Sequence, residues 1–173
     1  TALGLRAASV ADLETLAQAE GVHVGELDRP GGGAIVRLTD PDGFNVEVVA
    51  GQQAAEPLPL PELEAWNSAR QQARVRKTKR ISQGAHVVRL GHCVLSVSDF
   101  RASERWYKER FGFITSDEIA VGPDMAMGAF LRCDRGETPT DHHTLFLMMN
   151  PAGVHFHHAA FEVVDMDDLL LGH

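Results

Sequence analysis

The stretch Leu90–Phe113, LGHCVLSVSDFRASERWYKERFGF, predicts a β-strand that leads directly into an α-helix. Its first half is an apolar, strand-like run, and its second half carries a helical pattern of apolar and charged residues. Asp99 lies between them, where its side chain can accept hydrogen bonds from the first backbone N–H groups of the helix. A strand, a capping residue and a helix therefore form one recognisable unit.

The same unit recurs near both ends of the chain. Residues 1–21, TALGLRAASVADLETLAQAEG, contain Ser9 at the position of the cap. Residues 156–173, FHHAAFEVVDMDDLLLGH, contain Asp165 there. A unit that recurs in this way indicates a fold built from internal repeats.

Two of the three units carry a histidine at one equivalent strand position. Counting back seven residues from each cap gives His92 in the central unit, His158 in the last and Ala2 in the first. A single histidine on a strand is usually a hydrogen-bonded polar group or a surface residue, and two at one repeat position are less easily explained in that way. Matched strands of paired modules can face each other, so we expect the two imidazoles to converge on one point.

More strands follow each helix and complete a module. Residues 31–51, GGGAIVRLTDPDGFNVEVVAG, predict two strands joined by a turn at Asp40–Gly43, where Pro and Asp-Gly supply the required backbone geometry. After Phe113 the runs SDEIAV, MGAFLRC and HHTLFLMM are also strand-like. One module therefore ends at about Val49, a second begins at about Val87, and a third is broken off after its first helix starts.

The segment between the first two modules is different in composition. It begins Pro-rich, which is typical of an extended linker, and residues from Pro61 to about Arg76 predict a helix. We expect a first domain at residues 1–50, a linker with a helix at 51–85 and a second domain at 86–173.

The composition excludes several classes of function. The net charge of −8 argues against nucleic acid or an anionic membrane as the main partner. The basic run Arg74–Arg80 is interpreted as a solvated part of the linker rather than an anion site. Two cysteines are too few for a disulfide framework and suit a reducing cytoplasm, and no apolar run approaches the roughly 18 residues that span a bilayer.

A third histidine of interest lies in the run TDHHTLFLMM. Strand alternation would place His143 on one face with Leu145 and Leu147, and His142 on the other. The same alternation separates His158 from His157, so we interpret His142 and His157 as exposed or supporting residues.

Histidines in this number suit metal chemistry. Two neutral imidazoles suit Zn(II), Fe(II), Ni(II) or Cu(II), and a carboxylate added to them makes the facial triad of non-heme Fe(II) oxygenases. A further histidine that does not bind the metal can move a proton near neutral pH.

The motifs LGHCVLSVSD, DHHTLFL and HFHHAAFEVVD, in that order, resemble the vicinal oxygen chelate superfamily, which includes glyoxalases, bleomycin-resistance proteins and dioxygenases. Within it, the chain most resembles the type I extradiol ring-cleavage dioxygenases. The resemblance covers nearly all of the chain. It implies an α+β fold of βαβββ modules whose pairs form cup-like mixed sheets.

The resemblance also implies roles for particular residues. His92 and His158 match the two histidine ligands of Fe(II), with Mn(II) as the alternative metal, and His143 matches the catalytic histidine that does not bind metal. The third ligand, a glutamate, is expected beyond His173. Residues 1–50 would then belong to an N-terminal domain without metal, where Ala2 replaces the histidine, and residues 86–173 to the catalytic domain of a longer enzyme.

The implied reaction is meta cleavage of a catechol-type diol with O2, in a cytoplasmic homo-oligomer that degrades aromatic compounds. A fragment that ends at His173 is expected to be inactive by itself. Met148, Phe130 and Leu145 are candidates for the ring pocket but do not distinguish among substrates. A metal-dependent lyase or isomerase of the glyoxalase type and a metal-free small-molecule binding protein remain alternatives.

Overall fold

The computed structural model describes residues 2–60, 84–123 and 125–173. These residues divide into two compact units, one within residues 2–56 and 93–158 and the other within residues 57–60, 84–92 and 159–173. The helix predicted between Pro61 and Arg76 lies outside the described residues. In the described part of the chain, no helix is long and apolar enough to cross a membrane.

The first module forms a mixed four-stranded sheet with one helix. Its strands follow the order β1-β4-β3-β2, with β1 parallel to β4 and the other neighbours antiparallel. The elements are β1 (Ala2–Arg6), α1 (Val10–Glu20), β2 (Gly25–Glu26), β3 (Ala34–Thr39) and β4 (Asn45–Ala50).

The second sheet repeats this arrangement. Its order is β6-β7-β8-β5-β9, so that β5-β8-β7-β6 corresponds to β1-β4-β3-β2, and β5 is parallel to β8 just as β1 is parallel to β4. The elements are β5 (Val87–Val97), α2 (Phe100–Phe111), β6 (Phe113–Gly122), β7 (Met125–Cys133), β8 (Leu145–Met149), β9 (His155–Val163) and α3 (Met166–Gly172). The prediction of an α+β fold of repeated βαβββ modules is confirmed.

The three predicted caps start the three helices. The Ser9 hydroxyl accepts a hydrogen bond from the backbone N–H of Asp12, and Asp165 accepts one from that of Asp168. Asp99 accepts bonds from the backbone N–H groups of Arg101 and Ala102. α1 ends at Gly21, whose φ of 65° is the left-handed conformation that glycine adopts without strain.

The predicted turn between β3 and β4 is also present. The Asp40 Oδ1 atom accepts hydrogen bonds from the backbone N–H groups of Asp42, at 2.9 Å, and Phe44, at 2.8 Å. A side chain that holds its own turn in this way is characteristic of Asp at the first turn position.

Within the first compact unit, one hydrophobic core joins the helix-covered sides of both sheets. Leu13 of α1 and Tyr107 of α2 are completely buried in it, together with Val36 of β3, Leu131 of β7 and Leu147 of β8. Residues that alternate with these core positions are also buried, among them Ile35 of β3, Val94 of β5 and Phe146 of β8.

The second compact unit brings the end of β9 and the start of α3 to the first part of β5. Arg89 Nε lies 2.5 Å from Glu162 Oε2, which joins the two strands through an ion pair. The His86 ring Nδ1 lies 3.1 Å from Oδ2 of Asp168, and the His86 backbone N–H donates to the same carboxylate. Asp168 is buried, and these bonds compensate for the loss of water around its charge.

Candidate functional site

The second sheet has a face that is turned away from α2, here called the open face. Leu145 and Leu147 of β8 point into the core beneath α2, so the alternate residues Phe146 and Met148 point to the open face. Phe130 of β7 is paired with Phe146, and their rings stack with centroids 4.1 Å apart. The open face therefore carries an aromatic surface, formed by Phe130, which is partly buried, and Phe146, which is 8% exposed.

His143 lies on the open face, beside this aromatic surface. Its ring centroid is 4.9 Å from that of Phe130. The prediction that His143 shares a face with Leu145 and Leu147 is wrong. β8 begins only at Leu145, so His143 precedes the strand and does not follow its alternation.

His142 lies next to the same aromatic ring rather than on the opposite side. Its ring centroid is 5.3 Å from that of Phe130, and its Nδ1 atom is 3.2 Å from Nδ1 of His143. One of these nitrogens must carry a hydrogen that the other accepts, so the pair constrains the tautomers of both rings. His142 is exposed, whereas His143 is partly buried.

Leu145 does not line an open pocket. It is 1% exposed and belongs to the core beneath α2. Of the three residues proposed for a ring pocket, only Phe130 and Met148 lie on the open face. Phe130 is paired with Phe146, and Met148 lies two residues after Phe146 on the same strand.

His158 lies on β9 and is exposed. Its Nδ1 atom is 2.7 Å from Nδ1 of His157, and the two rings meet edge to face with centroids 4.9 Å apart. Strand alternation alone predicted a separation of these two side chains, yet their rings bend towards each other.

His92 lies on β5 and is partly buried. It belongs to the compact unit of residues 57–92 and 159–173, whereas His143 and His158 belong to the other. Across residues 2–60, 84–123 and 125–173, no three His, Cys, Asp or Glu side chains cluster closely enough to hold a metal ion. The imidazole groups of His92 and His158 are suitable donors for Fe(II) or Mn(II). They would supply part of a ligand set that also needs a carboxylate.

Cys93 follows His92 and is a partly buried thiol. Burial raises the pKa of this thiol, because removal from water disfavours the thiolate. Cys93 is therefore a poor candidate for a thiolate nucleophile at neutral pH.

The first sheet has a cleft of about 450 Å³ lined by Ala2 and Glu47. Glu47 Oε2 lies 2.9 Å from Arg29 Nη2, and Glu47 Oε1 lies 3.3 Å from Arg37 Nε. Ala2 supplies no metal-binding group, and two guanidinium groups neutralise the carboxylate. The Glu47 carboxylate in this cleft is thus engaged in ion pairs.

Three solved structures resemble the chain along nearly its whole length. The Mn(II)-bound glyoxalase from Novosphingobium aromaticivorans is 24% identical, with a TM-score of 0.63, and the match covers 98% of this chain and 48% of that one. The 2,3-dioxygenase LapB from Pseudomonas sp. KL28 is 22% identical, with a TM-score of 0.64 and coverage of 96% and 55%. An extradiol ring-cleaving dioxygenase from B. fuscum is 19% identical, with a TM-score of 0.61 and coverage of 98% and 42%.

The chain spans about half the length of these structures, and the likeness at this level of identity concerns the fold. A comparison of the sequence with curated proteins found no significant match. The family model described as the Glyoxalase/Bleomycin resistance protein/Dioxygenase superfamily matches residues 89–171, which run from β5 to α3. Residues 89–171, slightly less than half of the chain, are thus similar to the Glyoxalase/Bleomycin resistance protein/Dioxygenase superfamily.

Proposed function

We propose that this chain is part of an extradiol dioxygenase, which opens a catechol-type ring with O2 at a mononuclear Fe(II) centre. The observation that carries the proposal is the position of His143. It lies on the open face, against the ring of Phe130, where an acid–base group and an aromatic surface adjoin. The alternative functions, a glyoxalase-type lyase or isomerase and a metal-free binding protein, do not call for such a histidine.

The metal would be held by His92 and His158, with a carboxylate as the third ligand. The reason for this assignment is that each histidine lies seven residues before the residue that caps the following helix. The same family match spans both strands. When bound, Fe(II) or Mn(II) supplies a Lewis-acid centre that can bind two adjacent hydroxyl oxygens of a diol and O2.

His143 would accept a proton from a hydroxyl group of the substrate and later return it to the oxygen of the opened ring. An imidazole suits both steps, because it changes protonation near neutral pH. The contact between the Nδ1 atoms of His142 and His143 would orient the ring.

The stacked rings of Phe130 and Phe146 would contribute to recognition of the substrate. An aromatic diol can pack against such a surface while its hydroxyl groups face His143. We propose a catechol-type diol as the substrate class, since an aliphatic substrate would make no comparable use of this surface.

The test uses the native protein that contains residues 1–173, loaded with Fe(II) without oxygen and then mixed with a simple catechol and O2. The proposal predicts one O2 consumed for each ring-opened product, with both oxygen atoms incorporated from ¹⁸O2. Metal-loaded protein that binds catechol but consumes no O2 would reject the dioxygenase assignment.

A glyoxalase-type lyase or isomerase is the second candidate, and the similarity to a Mn(II)-bound glyoxalase favours it. Such an enzyme would be built from the same modules and would also bind a metal, but its reaction does not call for a histidine at position 143. Loss of turnover in a His143→Gln variant without loss of metal therefore supports the dioxygenase, whereas full retention of lyase turnover supports the second candidate.

A further inference from the structure

The antiparallel pair of β6 and β7 contains a β-bulge next to the proposed catalytic histidine. Thr115 is paired with Leu131 and Asp117 with Phe130, so Ser116 is an extra residue on β6. A bulge of this kind re-aims a side chain and interrupts the regular pleat. The partner of Asp117 is the same Phe130 that contacts His143.

The side chain of Ser116, the extra residue of the bulge, bonds to the backbone of His142. The Ser116 Oγ atom lies 2.5 Å from the His142 carbonyl oxygen, and Arg132 Nη1 lies 2.7 Å from Ser116 Oγ. A guanidinium group can only donate, so the serine accepts from Arg132 and gives its single hydrogen to the His142 carbonyl. The positive charge of Arg132 strengthens both bonds, because it polarises the hydroxyl between them.

The backbone is held on the other side of His143 as well. The Thr144 backbone N–H donates to the Leu131 carbonyl at 2.7 Å, and the Thr144 carbonyl accepts from the Cys93 N–H at 3.0 Å. His143 thus lies between one residue held by the sheet and one held by the bulge. The backbone bonds of Thr144 involve no side chain, whereas the attachment of His142 depends on the side chains of Ser116 and Arg132.

We propose that Ser116 and Arg132 are positioning residues that hold the His142–His143 backbone, and through it the imidazole of His143, against Phe130. This inference rests on the catalytic role proposed for His143. It assigns a function to the bulge, because the extra residue of β6 is the one whose hydroxyl group bonds to the backbone of His142. Neither Ser116 nor Arg132 is expected to contact the metal or the substrate.

The first test is kinetic and uses the native protein loaded with Fe(II). A displacement of about 1 Å in a catalytic group can lower a rate by roughly 10²-fold, so Ser116→Ala should lower kcat by about 10- to 100-fold. KM and bound metal should stay unchanged. Ser116→Thr keeps a hydroxyl group and should retain most of the parent kcat. The kcat of Arg132→Gln should lie between those of the two Ser116 variants.

Thr15→Ala is the matched control. The Thr15 hydroxyl also donates to a backbone carbonyl, that of Ala11, but on the exposed side of α1. Its removal should leave kcat unchanged. Equal losses of kcat in Ser116→Ala and Ser116→Thr, accompanied by equal falls in Tm, would show that the bulge serves stability alone and would overturn the proposal.

The second test does not depend on catalysis. In the metal-free native protein, nuclear Overhauser contacts between the ring protons of His143 and Phe130 report the position of the imidazole. They should be present in the parent protein and in Ser116→Thr, and weakened in Ser116→Ala. Unchanged contacts in Ser116→Ala would overturn the positioning role, whereas a parent protein that shows these contacts but opens no diol ring would reject only the proposed reaction.

Discussion

The hydroxyl group of Tyr107, on α2, donates a 3.1 Å hydrogen bond to Oδ2 of Asp40, in the turn between β3 and β4. Tyr107 is completely buried and Asp40 is 5% exposed. The carboxylate that forms the turn of the first sheet is therefore also the hydrogen-bond partner of the helix on the second sheet. Burial raises the pKa of Asp40 despite the bonds from Phe44, Tyr107 and Asp42, because removal from water disfavours its charge.

Replacement of Tyr107 by Phe should destabilise the protein. The ring would still fill its place in the core, but Asp40 would lose a hydrogen-bond donor in a buried environment. We expect the free energy of unfolding to fall by about 1–3 kcal/mol. Urea denaturation followed by circular dichroism measures this change, and a difference below the error of the method would show that water replaces the phenol without cost.

Replacement of Glu104 by Gln should destabilise the protein in a manner that depends on pH. Burial by itself raises the pKa of Glu104, but hydrogen bonds from Lys108, Thr115 and Arg101 outweigh it and hold the pKa below its usual value. The folded state then binds its proton less tightly than the unfolded state does. Glu104 therefore contributes stability above the unfolded pKa of about 4.5, and this contribution is lost as pH falls through the folded pKa.

The Gln variant should accordingly lose about 1–3 kcal/mol of unfolding free energy at pH 7 and less at pH 3. Urea denaturation of both proteins across this range tests the sign. Glu109→Gln is a suitable control, because the Glu109 side chain is 71% exposed and should show only a small change at any pH. A loss that grows as pH falls would contradict the direction given for the pKa of Glu104.

Replacement of His143 by Gln should keep the metal and lose turnover. General acid–base groups typically contribute about 10²–10⁴-fold to a rate, and Gln keeps the size of the side chain but cannot exchange a proton. Metal analysis and kcat are measured on the same sample of Fe(II)-loaded native protein. Loss of iron together with activity would make His143 a ligand and would change the role proposed for it.

Replacement of either His92 or His158 by Ala should remove the bound metal. Each variant would take one imidazole from the proposed ligand set, and a set of fewer ligands binds a divalent ion more weakly. Metal content after dialysis is the measurement, with His23→Ala as the control because His23 is an exposed histidine of the first module. Full retention of metal by both variants would refute the ligand assignment.

Replacement of Glu47 by Gln should leave the metal content unchanged. The Glu47 carboxylate is engaged by Arg29 and Arg37, which are both largely exposed, so the pairs should contribute at most about 1 kcal/mol to stability. Metal analysis and a urea titration on one preparation test both statements. A fall in bound metal would identify Glu47 as a ligand, and the assignment of modules would need to be redrawn.

The repeated strand, cap and helix could be predicted from the sequence because the interactions that define them are local. Ser9, Asp99 and Asp165 bond to backbone N–H groups two or three residues ahead, so their chemistry is readable without knowledge of the fold. The Asp40 turn is local in the same sense. Recurrence of these units then determined the fold class.

The environment of the proposed catalytic histidine could not be predicted in this way. The face occupied by His143 was assigned from strand alternation, and that rule fails because the strand begins two residues later. The bulge at Ser116 leaves no periodic signal, since it is an irregularity in the pairing of two strands.

The sequence by itself determined the βαβββ units, their caps and the histidines at matched positions. Only the tertiary structure decided that Tyr107 meets Asp40, 67 residues away in the chain, and that Ser116 meets His142, 26 residues away. The physical reason is the range of the interactions. A cap or a turn is stabilised by neighbours in sequence, whereas the position of a side chain on a sheet depends on where each strand starts and which residue lies opposite it.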